Sequence, residues 1–249
     1  MTKAVVVAQA GRFQREAELL SARLNCPVHD LDAMPEAYFR ISVGDTLSVV
    51  CGSAKNAYSV SVDFDDMKIR QRRQAGSKDL LVRACGLHKA THSVKSIVDT
   101  TAGFGADAWV LAGTGVQVRA YERDRLMYEL LEDARKRMVL AADIARLEFI
   151  HGDPAAENQE VVADVIYMDP MFSGGLRKAL STKNMMFLQE WLGSDYSLDD
   201  QSRVFRWALE QARNRVVVKR SAKAGFIDEL KPTFQIMGKT HRFDVYQRG

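Results

Sequence analysis

Four times between residues 96 and 170 an apolar run of strand length closes on a carboxylate. Asp99 ends "SIVD", Glu122 ends "VQVRAYE", Asp153 follows "LEFIHG", and Asp169 lies in "DVIYMDPMF". A run such as Val165, Ile166, Tyr167, Met168 lacks the alternation of a half-exposed strand and matches one covered on both faces. Helix-like stretches separate these runs, at 104 to 113 and from about Arg123 to Leu140, where Leu126, Leu130, Leu131 and Ala134 recur at helical spacing. Such alternation builds a mostly parallel sheet with helices on both faces. The carboxyl ends of its strands are where open sheets of this kind bind ligands. Strand-end acids also cap helices and Asp-Pro also makes turns, but a whole set of acids along one sheet edge is less easily assigned to capping.

The remaining segments extend the pattern. A helical stretch carries Trp191, "DDQSRVFRWALEQARN" is an amphipathic helix with Asp199 or Asp200 near its start, and "RVVVKR" supplies a fifth strand. "FQIMGKTHRFDVYQ" reads as two strands joined by a Gly-containing turn, an antiparallel ending to the sheet. Residues 1 to 70 differ. "MTKAVVVAQAGRFQREAELL" looks like a strand feeding a helix, "YFRISVGDTLSVVCG" and "YSVSVDF" suggest a hairpin, and "DDMKIRQRRQAGSKD" reads as a polar link. The expected organisation is a small N-terminal α/β domain, residues 1–70, followed by a Rossmann-like domain, residues 71–249.

Composition narrows the function classes. With 47% hydrophobic and 27% charged residues over 249 positions, the chain is neither disordered nor fibrous. No apolar stretch approaches the length of a bilayer span, so no membrane partner is expected. Cys26, Cys51 and Cys85 are far apart and lack metal-ligand spacing, which points to reduced thiols in the cytoplasm and to no metal site. A net charge of +3 says little about a polyanionic partner, but its distribution says more. Lys68, Arg70, Arg72, Arg73 and Lys78 precede the first core strand, Arg177, Lys178 and Lys183 follow Asp169, and Lys219, Arg220 and Lys223 end the fifth strand. The last two groups would form a basic rim if the fold brought them to one edge; otherwise they are solvated loop charges.

Chemistry collects at the acids. In "VDTTAGFGADAWVLA", Asp99 is followed by Gly103 and Gly105, small residues that let backbone N–H groups approach a ligand at the start of a helix. Glu122, seventeen positions beyond Gly105, can accept both hydroxyls of a ribose, and Asp153 can accept from an adenine amino group. This points to a nucleoside cofactor without separating NAD from S-adenosylmethionine. NAD fits less well, because the third glycine of G-x-G-x-x-G is absent. In "DPMF", Asp169 and the Pro170 carbonyl can accept the hydrogens of a planar exocyclic amine while Phe172 stacks on its base; the alternative for Phe172 is a plug in the core.

From about Val62 onward, the segments "VDF", "QRRQ", "LVRACG", "VDTTAGFGADAWVLA", "RAYERD", "VIYMDPMF", "RVVVKR" and "THRFDVY" resemble, in order, the RsmJ-type ribosomal small-subunit RNA guanine-N2 methyltransferases. The resemblance implies a class I Rossmann-like fold, S-adenosylmethionine as cofactor, and methylation of the 2-amino group of one guanosine near the 3′ end of 16S rRNA, as free RNA or in the assembled small subunit. Carried over by position, it implies cofactor contacts at Ala106 and Asp107, Glu122 and Arg123, Asp153 and Pro154, and Asp169, beside Asp99, Gly103 and Gly105. The chain departs from the family at Ala106, where a basic residue is usual, and at Asp153 and Pro154, where small hydroxyl residues are usual. Rival readings are an amino-methyltransferase acting on DNA or tRNA, which a flipped base would satisfy equally, and a non-catalytic RNA-binding assembly factor.

Overall fold

The computed structural model describes residues 4–30, 38–52, 56–89, 93–138, 142–157, 159–170, 182–193 and 198–248. In chain order the elements begin with β1 (Ala4–Ala8), α1 (Gln14–Leu24), β2 (Phe39–Val43), β3 (Ser48–Cys51) and β4 (Tyr58–Val60), then α2 (Met67–Ala75) and α3 (Leu80–Ala84). Next come β5 (Ser96–Asp99), α4 (Ala106–Ala112), β6 (Gln117–Glu122), α5 (Arg125–Arg137), β7 (Leu147–His151) and β8 (Ala163–Met168). The chain closes with α6 (Lys183–Leu192), α7 (Leu198–Gln211), β9 (Ala212–Ser221), β10 (Phe234–Met237) and β11 (His241–Gln247).

Two compact units result. One comprises Met1–Asp63, Arg125–Arg137 and Leu176–Gly193; the other comprises Phe64–Asp124, Met138–Gly175 and Ser194–Gly249. The division after Asp63 falls a few residues before the boundary expected at residue 70, and α5 and α6 group with the N-terminal segment. In that first unit a four-stranded sheet runs β1-β2-β3-β4, with β1 parallel to β2 and the other pairs antiparallel. Phe39 stands edge-on to Phe187 and Trp191, with ring centroids 6.0 and 5.0 Å away, and Arg23 of α1 donates to Glu129 of α5 at 2.7 Å.

The second unit is built on a seven-stranded sheet of order β10-β11-β9-β8-β5-β6-β7. Strands β9, β8, β5, β6 and β7 are mutually parallel, while β11 pairs antiparallel with both β9 and β10. This is the mostly parallel sheet with an antiparallel ending that the apolar runs predict. Its topological switch lies between β5 and β8, because the chain winds outward through β6 and β7 before returning to the other side of β5. Ligands of open α/β sheets bind at that crevice.

Side-chain alternation sorts the sheet into two faces. Val98, Ile166, Met168, Val216 and Val218 form one core with Phe205, Trp207 and Ala208 of α7. Phe205 is fully buried, so truncating it to Ala would cost about 3–5 kcal/mol. The opposite face carries Tyr167 and, two residues beyond Val217, Lys219.

The stretch read as a polar link is instead helical. Asp66 accepts from the Lys68 and Ile69 amides to start α2, and Asp79 does the same for Leu81 and Val82 to start α3. No residue of α2 is buried, so it presents no apolar stripe to betray it in the sequence. The long helix begins at Arg125, not Arg123, and the first helix after the glycines spans Ala106–Ala112. Among the described residues no helix is long and apolar enough to cross a membrane.

Candidate functional site

Three hydrogen-bonded groups line the carboxyl edge of the parallel strands. The first sits at the switch point. Asp99, 1% exposed, accepts at Oδ1 from the Thr101 amide at 2.9 Å and the Thr101 hydroxyl at 3.3 Å. The same hydroxyl accepts from the Asp169 amide at 2.7 Å, so Thr101 ties the ends of β5 and β8 together. Among the described residues Asp99 Oδ2 is buried without a hydrogen-bond partner. Burial, only partly offset by the Thr101 amide and reinforced by Asp107 and Asp169, pushes the Asp99 carboxyl up to about 8. A buried acceptor left open beside a strand end is suited to a ligand's cationic or hydroxyl donor.

Across the same face, Lys219 Nζ lies 2.7 Å from Asp169 Oδ2 and 3.2 Å from Asp107 Oδ2. Asp107 also receives the Tyr167 hydroxyl and the Arg72 guanidinium, each at 2.6 Å. Burial opposes the Asp107 charge, but Lys219 and Arg72 outweigh it and hold the carboxyl well below the ordinary range. With three donors on its side chain, Asp107 is a frame for its neighbours. Burial raises Asp169, Lys219 opposes that rise, and the Asp169 side chain keeps 35% of its exposure. Pro170 behind it is buried.

The second group is the glycine turn. Gly103 and Gly105 have φ of 55° and 73°, a left-handed backbone that side-chain-bearing residues rarely adopt. Glu122 holds this turn: its Oε2 accepts from the Gly103 amide at 3.0 Å and its Oε1 from the Asp124 amide at 2.9 Å. Burial, partly offset by those two amides, pushes Glu122 up to about 7. Each carboxylate oxygen has a second lone pair, which leaves acceptor capacity for a diol.

The third group reaches out from β6 and β7 to α7. Arg123 donates to Asp200 at 2.7 Å, and Arg203 bridges Asp200 and Asp153 at 2.6 and 2.7 Å. Asp153 also accepts from the amides of Ala155 and Ala156 at 3.0 and 3.1 Å, with Pro154 buried in that turn. Burial works against the Asp153 charge, yet Arg203 and the amides prevail and lower its carboxyl.

All four acids thus stand at or just past the carboxyl ends of the neighbouring strands β8, β5, β6 and β7, at one edge. Phe172, Arg177 and Lys178 lie outside the described residues. The rim that Arg177, Lys178 and Lys183 would form with Lys219, Arg220 and Lys223, were both groups brought to one edge, is not supported on the side of the last three, which do not share one surface. Alternation sends Lys219 into the switch-point cluster, whereas Arg220, 7% exposed, turns to Gln201 and the Gly225 carbonyl, and only Lys223 is exposed. Thr101, Arg72, Tyr167, Arg203 and Asp200 are further members that the sequence reading did not place at the site. A hydroxyl inside the buried run of β8 was the one available signal, since a buried Tyr needs a partner. Among the described residues no cluster of His, Cys, Asp or Glu could hold a metal ion.

Comparison with known proteins places this geometry in context. The family model described as "Putative SAM-dependent methyltransferase" matches residues 26–248. The ribosomal RNA small subunit methyltransferase J of Thioalkalivibrio sulfidiphilus is 35% identical over 247 residues, covering 95% of this chain and 94% of that protein. The protein of the same name from Stutzerimonas stutzeri is 35% identical, covering 96% of this chain and 93% of its own length. Among solved structures, the crystal structure of a SAM-dependent methyltransferase from Neisseria gonorrhoeae superposes with a TM-score of 0.73 at 25% identity, covering 98% of this chain and 95% of that one.

Proposed function

Since the chain belongs to the family of S-adenosylmethionine-dependent methyltransferases that includes the ribosomal RNA small subunit methyltransferases J, we propose that it methylates the exocyclic N2 amine of one guanosine in 16S rRNA. The observation that carries the reading is the Asp169-Pro170 pair at the switch point, with a part-exposed carboxylate engaged by Lys219 and a backbone amide held by the Thr101 hydroxyl. The site of action would be the cytoplasm, where ribosomal subunits assemble.

The residues at the strand ends fit the cofactor. S-adenosylmethionine offers an ammonium, a ribose diol and an adenine amine, and the chain offers an acceptor suited to each. The open buried oxygen of Asp99 would take the ammonium. Glu122, already fixed by two amides, would take the ribose hydroxyls, and Asp153, oriented by Arg203, the adenine amine. Gly103, Gly105 and Ala106 would pass close with backbone alone, while Arg123 and Pro154 would border the base. Asp107, its side chain engaged, would act through its backbone and through Lys219.

When bound, the cofactor supplies an electrophilic methyl on a sulfonium, which leaves as a neutral thioether once the target nitrogen takes the methyl. The chain's part is mainly positioning. Asp169 and the Pro170 carbonyl would accept the two N–H bonds of the amine and aim its lone pair, and Phe172 would stack on the guanine. The proton released as the N–CH3 bond forms would pass to Asp169 or to water.

The test is transfer of a radiolabelled methyl group to free 16S rRNA, small subunits, tRNA and DNA in parallel, followed by nucleoside analysis. Label recovered as N2-methylguanosine from 16S rRNA, free or assembled, supports the reading. Label confined to tRNA or DNA, or cofactor binding without transfer to any RNA, overturns it.

A further inference from the structure

Lys219 sits where the sequence suggests a surface charge, yet it joins Asp169 to the bonded cluster around Asp107 at the strand ends. We propose that Lys219 is a positioning residue for methyl transfer: it engages one oxygen of Asp169 and keeps that side chain a hydrogen-bond acceptor, leaving the other oxygen for the target amine. The proposal rests on the reading that Asp169 holds the amine.

Three observations carry it. Lys219 reaches Asp169 through Oδ2 alone, at 2.7 Å, and no hydrogen-bond donor among the described residues reaches Oδ1. Lys219 is itself fixed from the far side. Its second partner, Asp107, is gripped by Tyr167 and Arg72, and Arg72 is in turn held by Asp79 at 3.0 Å, so the ammonium has little freedom to swing away. The third is the balance of charge. Asp79, Asp99, Asp107 and Asp169 face Lys219 and Arg72, four acids against two cations, with the Tyr167 hydroxyl bonded to Asp107 and His241 on the neighbouring strand β11.

Removing Lys219 leaves four buried or half-buried acids around Arg72, with Asp79 and Asp107 bonded to it. The two carboxylates that shared the lysine then repel each other without a common partner, and Asp107 keeps Arg72 and Tyr167, so Asp169 is the one driven toward its protonated form. A protonated Asp169 presents an O–H where the amine needs an acceptor. The lysine therefore sets the polarity of the contact without touching the substrate. An ion pair serving stability alone would need only Asp107.

The test compares Lys219→Met, similar in length and uncharged, with Lys219→Arg, using two readouts. Carboxyl 13C NMR of aspartate-labelled protein, with Asp169→Asn to assign the resonance, follows ionisation of Asp169 without any RNA. Single-turnover methylation of rRNA gives the rate and its pH profile. Lys219→Met is expected to raise the Asp169 midpoint by at least one pH unit and to lower the rate at neutral pH tenfold or more. The rate should recover as pH rises, the KM for RNA should change little, and Lys219→Arg should restore most of both properties. Should Lys219→Met not fold, the coupling is read in the wild type. The Lys219 side-chain resonance must follow the Asp169 titration and must lose that response in Asp169→Asn. An unmoved Asp169 midpoint, or a Met variant as fast as wild type at every pH, overturns the proposal. A wild type that methylates no RNA while Asp169 still titrates with Lys219 defeats the rRNA reading and leaves the pairing intact.

Discussion

At the scale of single residues, the site is a set of carboxylates whose ionisation is divided by their surroundings. Asp107 and Asp153 are held charged by paired cations, whereas burial raises Asp99 to about 8 and Glu122 to about 7. For the raised pair, the folded chain keeps protons that the unfolded chain has released above about pH 4. Their effect is therefore to lower the stability of the unliganded protein as pH climbs from about 4 to about 8. The slope reaches roughly 1.4 kcal/mol per pH unit for each fully coupled proton. Asp107 and Asp153 act oppositely, giving stability that is lost as pH falls through their lowered folded values. Thermal melts are expected to peak below neutrality without ligand, and the peak to move toward higher pH with S-adenosylmethionine, which rewards the charged form of Asp99. A melting profile that rises steadily to pH 8 without ligand would contradict the assigned burial. Glu122→Ala removes the acceptor proposed for the ribose, and charge-assisted bonds of about 1.5–3 kcal/mol correspond to about a tenfold to hundredfold loss of affinity. Calorimetry measures it, and an unchanged Kd in a folded variant would exclude Glu122 from the cofactor site.

At the scale of elements, α7 contributes more than a covering for the sheet. Its buried side places Phe205 and Ala208 in the core, while Asp200 and Arg203 turn back to Arg123 and Asp153. Arg203→Gln should cost about 1 kcal/mol, because the pair is part-exposed, and should lower Tm by about 2–4 °C. It should also weaken cofactor affinity several-fold by freeing Asp153. Melting and calorimetry on one sample check both, and a lower Tm with unaltered affinity would confine the network to stability. The parallel strands were legible from the apolar stretches 165–168 of β8 and 97–98 of β5, and their acids were legible because each stretch stops at one. The network through α7 was not, since it joins residues about 50 to 77 positions apart that only the returning helix brings together. Lys219 was misassigned for a related reason: one residue along a strand exchanges faces, and the basic run at its end does not reveal which lysine or arginine turns inward.

At the scale of the whole molecule, the relationship to the family extends over residues 26–248, so it includes segments whose patterns alone were weak. The N-terminal sheet was read only as a small α/β unit with a hairpin. Its parallel β1–β2 pair needs a partner across a long connection, which local spacing does not specify. The switch between β5 and β8 is the feature that gathers the strand-end acids at one edge, and it follows from strand order, not from any single motif. The central claim is that this edge serves methylation of one guanosine in 16S rRNA, and it is tested most directly by mapping N2-methylguanosine in rRNA from cells lacking the protein. One such nucleotide is expected to disappear from 16S rRNA, to return with the wild-type protein and not to return with Asp169→Ala. A full complement of N2-methylguanosine in the deficient cells would contradict it.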